Sequence, residues 1–237
     1  MHDQTYHLPH VTIVEIMGRN AGWLTAASVL ARNEYSRLPQ LIYLPEAAFD
    51  KEKFIKDVEI ELSKNNNVVV AVSEGIKDKD GQYISSQVAA NDKFGHAQLS
   101  GTGKALEILI IKELGIKCRS VELNIVQRCA SHISSKTDLD ESESLGRAAV
   151  DYAIKGESGF MPVLTRVSNN PYECKIEIAK LSEIANEERI VPREWINEEG
   201  NDVTNEMVEY LKPLITGEVE TRYKDGLPVY ENISHLM

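Results

Sequence analysis

Along this chain the apolar positions change period every ten to twenty residues. From Val11 to Met17 they form a β-branched run that predicts a buried strand. The run breaks at Gly18, and helical spacing begins with Leu24, Ala27, Leu30 and Ala31, predicting a helix over 21–33. A short strand over 41–44 follows, then a helix over 50–64 with Phe54, Ile55, Val58 and Leu62 on one face and Asp50 as its cap. Val68–Val72 reads as a third strand. Residues 77–100 are polar and glycine-bearing, an expected excursion or mobile loop. Leu106, Leu109, Ile110 and Leu114 then mark a helix over 102–114, and 119–126 reads as a fourth strand.

Strands alternating with helices predict an α/β fold, a parallel sheet flanked by helices. Ligands of such sheets gather at the carboxyl ends of the strands. Here those ends carry Met17-Gly18-Arg19, Pro45-Glu46, Ser73-Glu74-Gly75 and Gln127-Arg128, two arginines among acidic groups. The turn after the first strand would present helix N–H groups and the Arg19 guanidinium to an anion, with Asn20 as a helix cap. Gly101-Thr102-Gly103-Lys104 also precedes a helix but lacks phosphate-loop spacing, and reads as a structural turn. Beyond 136 the texture changes. An acidic-led helix is expected over 139–155, strands over 160–167 and 173–180 with Ser168–Pro171 as their turn, and a helix over 203–216. Two parts are therefore expected, residues 1–136 and residues 137–237.

Composition narrows the function. The 237 residues carry a net charge of −11, which argues against a general nucleic-acid or anionic-membrane surface. No apolar run approaches the roughly 20 residues of a membrane helix. The opening residues, with His2 and His7, show no export signal, and a cytoplasmic location is expected. Cys118, Cys129 and Cys174 form no C-x-x-C pair and read as reduced thiols, and no zinc spacing occurs.

The string Met17-Gly-Arg-Asn-Ala-Gly-Trp23 resembles the sugar-phosphate motif of the phosphofructokinase family, most closely its pyrophosphate-dependent branch. Leu44-Pro45-Glu46 and the pair Gln127-Arg128 resemble two further loops of that family. Around the second pair this chain has Leu123-Asn124 before and Cys129-Ala130 after, where many members have Gly-His and Gly-Gly. The departure is of the kind seen in the pyrophosphate branch.

The resemblance implies a glycolytic transfer of a phosphoryl group from pyrophosphate or ATP to the 1-hydroxyl of fructose 6-phosphate, giving fructose 1,6-bisphosphate. It assigns Met17 and Gly18 to positioning the sugar and Glu46 to its hydroxyls. Arg128, with His132, takes the 6-phosphate, and Arg19 offsets charge on the transferred group. For Glu46 and His132 the alternatives are a surface acid and a structural histidine, and Lys136 is as readily a surface cation. Homotetrameric members place, seven residues before the Met, an arginine that crosses to a neighbouring subunit. Here that position is His10, a weaker cation. A homo-oligomer is nevertheless expected.

Phosphoryl transfer also needs a donor cradle with its metal. The family's Gly-Gly-Asp loop and Thr-Ile-Asp-Asn-Asp motif occur nowhere in this sequence. The resemblance thus implies a carboxyl-terminal part, a truncated product or half of a split gene, inactive alone. Mg2+ ligands are expected in the absent half. Residues after 136 would return to that half and leave an apolar face uncovered. The alternative reading is a non-catalytic sugar-phosphate or regulatory lobe that assembles with a complete partner chain.

Overall fold

The computed structural model describes residues 8–85, 87–91, 97–230 and 234. His2 and His7 lie outside the described residues. Strand β1 (His10–Ile16) is followed by α1 (Trp23–Ala26), β2 (Leu41–Tyr43), α2 (Lys51–Lys64) and β3 (Asn67–Ser73). An antiparallel hairpin, β4 (Gln87–Asn91) and β5 (Ala97–Ser100), fills part of the predicted excursion; residues 77–85 carry a bridge between Lys77 and Tyr83, and residues 86 and 92–96 lie outside the described residues. Then come α3 (Thr102–Leu114), β6 (Lys117–Glu122), α4 (Asn124–Arg128) and α5 (Lys136–Ile154). The hairpin β7 (Phe160–Asn169) and β8 (Tyr172–Lys180) precedes α6 (Leu181–Ile184), α7 (Asn205–Leu211) and the two-residue strands β9 (Tyr223–Lys224) and β10 (Leu227–Pro228).

The chain forms two compact units. One comprises the residues up to Gln127 with Glu187–Leu211, the other Arg128–Asn186 with the residues from Lys212 on. The first unit holds a four-stranded parallel sheet in the order β2-β3-β1-β6, the α/β architecture expected from the sequence. Alternation along β1 and β3 sends Val11, Ile13, Val68, Val70 and Val72 to one face, where Phe54 and Val58 of α2 and Leu106 and Ile110 of α3 cover them. The Asp50 carboxylate caps α2 as expected, accepting from the N–H groups of Glu52 and Lys53 at 2.8 and 2.9 Å.

Residues 187–211 depart from the division near 136, because they belong to the first unit. The Arg32 guanidinium grips Asp202 through two bonds of 2.9 Å, and the N–H of Ile42 donates to the Asn201 carbonyl at 2.8 Å. Trp195 meets Trp23 edge to face and Tyr210 lies tilted against it, with ring centroids 6.1 and 5.3 Å away. Val191, Ile196, Val203, Met207 and Leu211 are buried. The segment therefore contributes buried apolar side chains to this unit.

The second unit is built differently. Helix α5 packs on β7, and β7 pairs with β8 in register from Phe160–Lys180 to Asn169–Tyr172. The Ser135 hydroxyl caps α5 by accepting from the Asp138 N–H at 3.1 Å. No described side chain of this unit is buried, and Val150, Ile154, Met161, Val167, Ile178 and Leu181 are all exposed.

Candidate functional site

Strand β1 leaves the sheet at Ile16, and its next three residues form a turn held by side chains from other strand ends. The Glu74 carboxylate, just past β3, accepts from the N–H groups of Gly18 (3.1 Å) and Arg19 (2.8 Å) through one oxygen, Oε1. The Gln127 amide, in α4, accepts from the Met17 N–H at 3.0 Å and donates to the Met17 carbonyl at 3.3 Å. Arg19 adopts φ 50°, a left-handed backbone uncommon outside glycine. Its carbonyl lies so close to Gly75 that a Cβ there would sit 1.8 Å from the oxygen. Gly75 thus admits the backbone approach that closes the turn.

Glu46, just past β2, reaches the same rim. Its Oε1 accepts from the N–H groups of Gly22 (2.9 Å) and Val191 (2.8 Å). Its Oε2 is buried without a hydrogen-bond partner, against the backbone of Gly22. Glu46 is therefore no loose surface acid. It ties the start of α1 to the returning 187–211 segment and keeps one oxygen with its hydrogen-bonding capacity unfilled.

These contacts correct the reading of the first turn as a helix-terminus anion site. Helix α1 has only four residues before it tightens into a 3-10 turn over Ala27–Ala31. The N–H groups of Gly18, Arg19 and Gly22 are already given to carboxylates. Asn20 caps nothing: its Oδ1 accepts from the Tyr83 hydroxyl at 3.0 Å, and the residue before α1 is Gly22. An anion at this turn would not find those three N–H groups free. The same holds for Gly101–Lys104, where Gly101 N–H donates to Glu122 (2.8 Å) and Gly103 N–H to Glu15 (2.7 Å).

Glu15 went unremarked in the sequence, although alternation from Val11 and Ile13 places it on the core face. Only 4 % exposed, it is pushed up to about 7 by burial, with Glu122 and Glu74 adding to the rise and the Gly103 N–H opposing it. Glu74 and Gln127 were visible only as members of rim loops. Their bonding to the Met17–Arg19 turn has no signature in residue spacing.

Met17, Gly18, Arg19 and Glu46 are thus brought to one rim of the first unit. Arg128 and His132 belong to the second unit. Arg128 does not end a strand as predicted: β6 stops at Glu122, Asn124 turns at φ 40°, and Arg128 closes α4 with its side chain exposed. His132 is exposed in a 3-10 turn over Ser131–Ile133, where its carbonyl accepts from the Thr221 hydroxyl at 2.9 Å. Lys136 pairs with Asp140 one helical turn on, at 2.6 Å. His10 Nδ1 lies 3.2 Å from the Leu8 carbonyl. Among the described residues no group of three or more His, Cys, Asp or Glu side chains could hold a metal ion, so the expected Mg2+ has no ligand set there. No described helix is long and apolar enough to cross a membrane.

Comparison with known proteins agrees with this architecture. The Phosphofructokinase family profile matches residues 1–152. The chain is 40% identical over 227 residues to a pyrophosphate–fructose 6-phosphate 1-phosphotransferase of Xanthomonas campestris, covering 95% of this chain and 54% of that protein. Crystal structures of pyrophosphate-dependent phosphofructokinases from Nitrosospira multiformis and Marinobacter aquaeolei superpose with TM-scores of 0.82 and 0.80 at 36% and 34% identity. They cover 96% and 94% of this chain, and 53% and 52% of theirs. The chain spans about half the length of the relatives it matches. By sequence and by fold, the chain belongs to the phosphofructokinase family.

Proposed function

We propose that this chain supplies the acceptor-sugar side of a pyrophosphate-dependent 6-phosphofructokinase, binding fructose 6-phosphate in the cytoplasm. The observation that carries the reading is the rim itself. Met17, Gly18 and Arg19 are held in a fixed turn beside Glu46, whose second carboxylate oxygen has no donor. A shift of the Glu46 side chain that met a sugar hydroxyl would fill that oxygen's vacant capacity. Met17 and Gly18 would position the sugar. Arg128, which follows Gln127 directly, offers two parallel donors to the 6-phosphate, with His132 a second ligand. Arg19 would offset charge developing on the phosphoryl group as the 1-hydroxyl attacks it.

Pyrophosphate as donor, with ATP the alternative, rests on the names of the relatives. Donor and magnesium would be held by residues this chain does not contain, and a homo-oligomer is the assembly proposed. The test is calorimetric titration of the purified chain with fructose 6-phosphate. Saturable binding, weakened by Arg128→Ala, is expected, and absence of binding overturns the reading. With pyrophosphate and magnesium added, no fructose 1,6-bisphosphate should form, and its appearance would overturn the assignment of the donor side to absent residues. The half-length match also favours a second reading, a lobe that assembles with a complete enzyme. Adding the missing half of a relative in trans separates the two: turnover supports the first, binding without turnover the second.

A further inference from the structure

The Gln127 side chain behaves as one more residue of a β-ladder. Strand β1 pairs with β6 only as far as Glu15–Glu122, and with β3 only as far as Ile16–Ser73. Beyond β6 the main chain turns away: the Leu123 N–H still donates to the Glu15 carbonyl at 3.0 Å, and α4 begins at Asn124. The next backbone groups of β1 that need partners are the N–H and C=O of Met17. Gln127 meets both, accepting from the N–H at 3.0 Å and donating to the carbonyl at 3.3 Å. A primary amide has the donor and acceptor of a peptide group on one planar unit, so it can replace the missing strand residue, and only one orientation of the amide satisfies both bonds. Glutamate could keep the first bond but would oppose the carbonyl. Methionine, of similar length, makes neither.

We propose that Gln127 is a positioning residue for the sugar site, fixing the Met17 peptide groups and through them the placement of Met17 and Gly18. It acts through that backbone, and the inference rests on the reading of this rim as a fructose 6-phosphate site. Glu74 secures the following two N–H groups, so Gln127 governs the first residue of the turn and Glu74 the remainder.

The test compares the parent chain with Gln127→Met and Gln127→Glu. Affinities for fructose 6-phosphate and for inorganic phosphate are measured by calorimetry, and urea midpoints by tryptophan fluorescence. Loss of both hydrogen bonds in Gln127→Met, and in Gln127→Glu loss of one with a carboxylate set against the Met17 carbonyl, predicts about ten-fold weaker fructose 6-phosphate binding in both variants. Inorganic phosphate affinity, which does not require the sugar to be placed, should stay within about two-fold. Hydrogen exchange at the Met17 amide should accelerate in Gln127→Met and less in Gln127→Glu, which keeps an acceptor. Unchanged fructose 6-phosphate affinity in both variants overturns the proposal alone. So does an equal loss for both ligands that tracks a lowered urea midpoint, the mark of a merely structural role. A parent chain that does not bind fructose 6-phosphate overturns the site reading, and this inference falls with it.

Discussion

Replacing Glu15 by glutamine should remove one source of the chain's loss of stability in alkali. Glu15 lies on the core face of β1, 4 % exposed, and its carboxyl is pushed up to about 7 from 4.5. The folded chain therefore holds a proton there that the unfolded chain releases at lower pH. Its contribution is complete below the unfolded value and is lost as pH rises through the folded one. At about 1.4 kcal/mol per pH unit, the whole span corresponds to about 3 kcal/mol, of which about 2.5 falls between roughly pH 5 and pH 8. Glutamine keeps a carbonyl for the Gly103 N–H but cannot ionise. The stability of Glu15→Gln relative to the parent should thus improve by about 2.5 kcal/mol between those two pH values, whatever its offset at the lower one. Urea unfolding followed by tryptophan fluorescence is the assay. The chain's two tryptophans, Trp23 and Trp195, both lie in the unit that contains Glu15, so the signal reports that unit. A stability difference that does not vary with pH would refute the argument.

Other perturbations address the rim and its supports. Gly75→Ala places a methyl 1.8 Å from the Arg19 carbonyl oxygen; because both groups are backbone-anchored, a loss of about 3 kcal/mol or more is expected in urea melts, and a loss under half of that would show the turn to be pliable. Glu46→Ala strands the N–H groups of Gly22 and Val191; about 2 to 3 kcal/mol should be lost, with faster amide exchange over 187–211, and normal protection there would contradict the tie. Asp50→Ala removes the cap of α2, whose carboxylate accepts from the Glu52 and Lys53 N–H groups, and should lower the urea midpoint in the same melts; an unchanged midpoint would show that the cap carries no stability. An apolar dye should bind the intact chain strongly through the uncovered second unit, and a compact monomer that ignores the dye would argue against that exposure.

Most of the first unit could be read from the sequence because each element there obeys one period. Asp50, Phe54 and Val58 on α2, or Val68–Val72 in β3, carry local signals that tertiary contacts reinforce. The misreadings have local causes. Residues 119–126 look like one apolar strand, yet Asn124 takes positive φ and turns Ile125 and Val126 into an exposed helical turn. The return of 187–211 is carried by contacts across 170 residues, such as Arg32–Asp202, which no spacing rule detects. The rim residues were nameable by motif, but their bonds were not. Carboxylates that looked suited to a ligand are mostly engaged by backbone N–H groups, and a glutamine noted only beside an arginine extends the sheet.

The hairpin β7–β8 and the helix α5 enclose no dry interior. The heat-capacity rise on unfolding comes from apolar surface newly wetted, so these residues contribute little to it. A calorimetric scan of the whole chain should then give a smaller increment per residue than the usual 12–15 cal/mol/K or so. Most of that increment would come from the four-stranded unit.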